Sequence, residues 1–168
     1  MSKRELKKYL KTLKKKYLEE QLIDLYARFK DVKVYYDFIF NPKEDKLLEA
    51  CKIKISNEYF PLSGRKAKAR RSVAQKYIKH FLTLGVEPSI ISDVMLYNIE
   101  IAQTYSAQKN KIHDSFYKSM LNSFEQAIYY IKQESLFDNF KTRINTIVEE
   151  IENQNWPNKS TFNFVMNS

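Results

Sequence analysis

The chain is 168 residues long, 43% hydrophobic and 29% charged, with a formal net charge of +9, a composition that suits one soluble globular domain. Its two glycines, Gly64 and Gly85, supply neither G-x-G-x-x-G nor GK[ST]. Its one cysteine, Cys51, excludes thiolate zinc clusters, C-x-x-C redox chemistry and an internal disulfide, and His80 and His113 form no H-E-x-x-H.

Apolar periodicity along the chain is helical throughout. Ser2-Lys3-Arg4-Glu5 has the S-x-x-E form of a capping box and opens a short first helix with Leu6, Tyr9, Leu10 and Leu13 on one side. A second helix is expected from about Lys14 to Phe29, with Leu18, Leu22, Leu25, Tyr26 and Phe29 on one face. Asp31 suits the cap of a third, carrying Val32, Tyr35, Tyr36 and Ile39 inward. Asn41-Pro42 stops that helix and starts a fourth, bearing Leu47, Leu48, Cys51, Ile55 and Tyr59. Pro61 to Gly64 is the clearest interior loop. A fifth helix is expected from near Lys66 to Gly85, a suitable C-terminal cap, and a sixth from Pro88 to about Gln108.

The last two helices carry narrower seams. Tyr117, Leu121, Phe124, Ile128 and Ile131 recur at 4,3,4,3, and Phe137, Phe140, Ile144, Ile147 and Ile151 at 3,4,3,4. Residues 112–153 therefore form an αα-hairpin, with Ser135 and Asp138 suited to cap its second helix. The expected fold is all-α: a single-domain bundle, or a short solenoid-like array, of about eight helices over residues 1–153, ending in this long hairpin. A polar tail, 154–168, either docks on the body or frays.

The charge is uneven. Residues 1–85 hold 22 Lys/Arg against 10 Asp/Glu, and residues 86–168 hold 7 against 10, so the first half is basic and the rest mildly acidic. Residues 3–16 carry eight cations and residues 65–71 carry five. Such clusters attract nucleic acid, an anionic membrane or another acidic macromolecule, or simply solvate a face. No apolar leader precedes the body and no uncharged stretch exceeds nine residues, so the expectation is a cytoplasmic protein without a transmembrane segment.

Two residues depart from a bland core pattern. On a fifth helix starting near Lys66, Arg70 falls on the stripe of Val73, Ala74 and Tyr77, either as a grip for a phosphate or carboxylate or as an arginine snorkelling past the core. Asn98 projects into the apolar arc of the sixth helix, as a buried hydrogen-bonding amide or as an amide that orients a ligand. Neither histidine sits in a pattern that defines a catalytic group, and no metal or cofactor is expected.

The segment Lys66 to Phe81, KAKARRSVAQKYIKHF, resembles an uncharacterised bacterial family, domain of unknown function 6155. The opening SKRELKKYL and the segment MLYNIEIA, residues 95–102, are similar to it as well, so the resemblance covers roughly residues 2–108. It implies a helical domain and brings no activity or catalytic residues. The leucines and lysines of residues 6–25 also look loosely like the SAP motif, a DNA-binding helix–loop–helix, although no glycine stands in the connecting turn.

The expected function is that of a helical binding protein without catalysis. It would contact nucleic-acid phosphates through Lys7, Lys8, Lys11, Lys15, Arg65, Lys68 and Arg71, with Arg70 as a specific grip. The alternative is a protein–protein adaptor or homo-oligomer that pairs through residues 112–153. An enzyme built from Arg70, Asn98 and a histidine would require those groups to converge in space.

Overall fold

A computed structural model describes residues 2–62 and 64–167, and the regular structure among them is entirely α-helical. In chain order the helices are α1 (Lys3–Thr12), α2 (Lys15–Arg28), α3 (Lys30–Phe40), α4 (Glu44–Tyr59), α5 (Arg71–Leu84), α6 (Pro88–Ala107), α7 (Asp114–Gln133), α8 (Phe137–Asn153) and α9 (Lys159–Asn167). These nine helices fall into two compact units, residues 1–43 with α1–α3 and residues 44–168 with α4–α9. Ser63, within the expected Pro61–Gly64 loop, lies outside the described residues.

In the first unit the helices follow one another with almost no linker. The capping box of α1 forms in full: Glu5 N–H donates to Ser2 Oγ and Ser2 N–H to the Glu5 carboxylate. α2 packs on α3, and Tyr26 Oη donates to Asp37 Oδ1 at 2.7 Å across that pair. The rings of Tyr26, Tyr36 and Phe40 line up along it, with centroids 6.5 and 6.1 Å apart. None of the three helices buries a residue. α3 starts at Lys30, so Asp31 lies in its first turn rather than at its cap; Phe29 occupies the cap position.

The second unit holds the core. α6 is its axis and packs against α4, α5, α7 and α8. Its Val94, Leu96, Ile99 and Ala102 are sealed from solvent. The two seams found in the sequence are consumed here: Phe124, Ile131, Ile144 and Ile151 are all fully buried. The connection between α7 and α8 is three residues long, as an αα-hairpin requires. Ser135 does not cap α8. It adopts φ +57 and closes α7, with Ser135 N–H donating to Lys132 O and Leu136 N–H to Ile131 O. Asn155, at φ +53, ends α8 through the same pair of bonds, and Gly85 closes α5 as expected.

The hairpin does not end the chain. α9 follows, packed on both α7 and α8, with Phe162 fully buried and Trp156 2% exposed. Phe124, Trp156 and Phe162 meet as aromatic neighbours with centroids 5.1–5.9 Å apart. Between α6 and α8, Arg143 links two acids: its Nε and Nη2 donate to Glu100 at 2.6 and 2.7 Å, and its Nη1 to Asp93 at 2.5 Å. Lys52 of α4 joins Asp93 from the other side at 2.5 Å.

Candidate functional site

α5 starts at Arg71, five residues later than the apolar period suggests, and residues 65–70 before it are not helical. The reason lies on α4. Lys68 N–H and Ala69 N–H both donate to the main-chain oxygen of Glu58, at 3.0 and 2.9 Å. Ala69 takes φ +46, a left-handed backbone that L-residues seldom adopt. Arg70 then doubles back, its Nε and Nη2 donating to the two carboxylate oxygens of Glu58 at 2.9 Å each. These bonds hold the Glu58 carboxyl below the usual carboxylate range and raise the Arg70 guanidinium. Arg70 is thus half-exposed and already paired. Arg71 is the more enclosed arginine: its Nε donates to Ser123 Oγ of α7 at 2.8 Å, and its Nη2 is buried with no hydrogen-bond partner among the described residues.

This fixed connector carries its cations between three hollows of the second unit. The first, about 670 Å³, lies at the starts of α5 and α7 and is lined by Lys68, Arg70, Arg71, Lys111 and His113, with hydroxyls from Ser72, Ser115 and Ser119. Neither helix start has a side-chain cap bond among the described residues, and the two helix dipoles add positive potential near Ser72 and Ser115. The second, about 900 Å³, adds Lys54, Arg65, Lys66 and Lys76. The third, about 570 Å³, sets Arg65, Lys66 and Lys109 beside Phe60 and Tyr105. Among the described lining residues, nine Lys/Arg face one carboxylate, Glu58, which Arg70 already occupies.

Of the residues singled out from the sequence, Arg65, Lys68, Arg70 and Arg71 come together here. Lys7, Lys8 and Lys11 lie on α1 and Lys15 on α2, all exposed and all in the first unit; Lys15 reaches Glu19 at 3.6 Å. Asn98 is 1% exposed and lines none of the three hollows; its Oδ1 accepts from Tyr59 Oη at 3.3 Å, and its Nδ2 has no partner among the described residues. His113 shares the first hollow with Arg70, while His80 is exposed on α5 beyond all three. Lys54, Lys76, Lys109 and Lys111 escaped the sequence reading. They sit singly on α4 and α5 and between α6 and α7, and only folding gathers them.

Among the described residues no group of His, Cys, Asp and Glu is arranged to hold a metal ion. None of the helices is long and apolar enough to cross a membrane. No curated protein and no solved structure matches the chain. A family model does match, over residues 1–168, which extends the resemblance from the first 108 residues through the hairpin and α9. The chain belongs to that family, DUF6155, a family of unknown function.

Proposed function

We propose that the chain is a non-enzymatic binding protein whose second unit contacts the phosphates of nucleic acid along the 65–71 connector. The observation that supports this is the imbalance at the three adjoining hollows, nine cations against one carboxylate that is already neutralised. Cations held with so few local counter-charges attract a polyanion, because each phosphate contact releases condensed counterions. The connector's rigid seat on Glu58 fixes where those cations lie, which lowers the ordering cost of binding. Half-buried Tyr105 and Phe60 lie at the rim with Arg65 and Lys109, and the Lys109 ammonium stands over the Tyr105 ring, 5.1 Å from its centroid. Contacts of this kind position a backbone and carry little base specificity.

The test is binding of a labelled random-sequence duplex and single strand across a salt series. The wild-type chain is compared with an Arg65→Glu/Lys66→Glu/Lys68→Glu variant. All three residues are exposed, so the fold is retained. Affinity is expected to fall at least tenfold and the salt slope to drop by about 3 units, near one per lost phosphate contact. Equal affinity and slope for the two chains would refute the reading. No observation favours the alternative of an adaptor pairing through residues 112–153, since the seams of that hairpin are buried within their own unit.

A further inference from the structure

We infer that α1 docks on an anionic lipid surface, lying flat with its leucine stripe in the headgroup region. Leu6, Tyr9, Leu10 and Leu13 recur at i, i+3, i+4 and i+7, which places them on one side of the helix. None of them is fully buried: Leu6 is 44% and Tyr9 45% exposed, and Leu10 and Leu13 are half-buried. Lys3, Arg4, Lys7, Lys8 and Lys11 occupy the rest of the circumference, and Glu5, whose carboxylate serves the capping box, is the one acid of the helix. Within its unit α1 is tied to α2 by Gln21 Nε2, which donates to Tyr9 Oη at 3.0 Å, while the packed helix pair is α2 with α3.

The combination selects among the available polyanions. A phosphate backbone satisfies the lysines and leaves the leucines in water. A second copy of the chain covers the leucines but sets two units against each other that each hold 12 Lys/Arg and 6 Asp/Glu, a like-charge encounter. An anionic bilayer interface satisfies both faces at once: the apolar side enters the headgroup region and the lysines remain at the charged surface. The capping box keeps the short helix formed before it arrives, so less ordering entropy is lost on docking.

The experiment is co-sedimentation of the intact chain with phosphatidylcholine vesicles and with mixed phosphatidylcholine–phosphatidylglycerol vesicles. It is expected to sediment with the mixed vesicles at low salt and to bind neutral ones at least tenfold more weakly. Leu6→Glu/Leu10→Glu is expected to lower vesicle affinity at least tenfold and leave nucleic-acid affinity unchanged. Leu6→Trp supplies a readout that does not depend on the acidic variant folding. Trp156 is buried and gives a background that vesicles do not reach, so the change on mixed vesicles comes from the new indole, whose emission is expected to shift to the blue. Absence of binding to mixed vesicles, an unshifted indole, or an acidic variant that binds vesicles like wild type would each overturn the inference. Loss of nucleic-acid affinity in that variant would overturn it as well, by making α1 part of a nucleic-acid face.

Discussion

Arg70 closes on Glu58 with two parallel hydrogen bonds of 2.9 Å, and Glu58 receives the connector a second time through its main-chain oxygen. One residue of α4 thereby anchors both the side chain and the backbone of the segment that carries the cationic cluster. The pair has a pH signature. Hydrogen bonds from Arg70 lower the folded-state value of Glu58, so their contribution is fully present above the unfolded carboxylate value, about 4.3, and is lost as pH falls through the folded one. Arg70→Gln is expected to lower the melting temperature at neutral pH, with the gap to wild type closing in acid. A gap that persists unchanged at pH 2 would show that the pair contributes nothing through ionisation.

Arg143 is the reciprocal case, one cation between two acids. Burial alone would lower its value, but hydrogen bonds to Glu100 and Asp93 outweigh that and raise it. Arg143→Met keeps the stem and leaves Glu100 without its partner on α8. It is expected to cost roughly 1–3 kcal/mol by denaturant unfolding. A double variant, Arg143→Met/Glu100→Gln, is expected to recover part of the loss.

Cys51 is fully enclosed on α4, and burial pushes its thiol up to about 12. A thiol in that state is neither ionised at neutral pH nor accessible. The native chain is expected to release no aryl thiolate from an aromatic disulfide reagent within minutes, and the chain in guanidinium one equivalent, as Cys51 forms the mixed disulfide. Rapid labelling of the native chain would show that α4 opens away from α6.

The two units should differ in hydrogen exchange. Amides of α1–α3, where no side chain is buried, are expected to exchange close to the rate of local fraying. Those around Leu96, Ile99, Ile131 and Ile144, all fully buried, should approach the global limit. Equal protection in both units would contradict this.

Much of the fold could be read from the sequence because it is written in local periods. The capping box, the Pro88 start, the Gly85 stop and the two seams each appear in the structure where the residues call for them. The connector could not be read in that way. Arg70 continues the stripe of Val73, Ala74 and Tyr77 backwards from α5, and nothing near it signals that Glu58 will draw two amides and an arginine to itself. The start of α5 is decided by Glu58, which lies 12 positions before the Arg70 cap and carries no turn chemistry of its own. The same holds for the site: Lys109 and Lys111 lie about forty residues from the 65–71 cluster and join it only because α6 returns the chain to α4 and α5. α9 escaped because Trp156 and Phe162 lie among polar neighbours, where short segments show little period.

Ala69, Ser135 and Asn155 hold backbone conformations that most proteins entrust to glycine, in a chain that has two glycines. That substitution pattern leaves thermal headroom in the molecule. Ser135→Gly relieves a side chain held at φ +57 in the turn after α7. Part of that gain returns to the unfolded chain as entropy, so a net stabilisation of about 0.5–1 kcal/mol is expected. Asn155→Gly should be close to neutral, because asparagine tolerates the left-handed region. A melting curve of the two variants separates the cases, and the order of the two midpoints reports how much strain each helix ending carries.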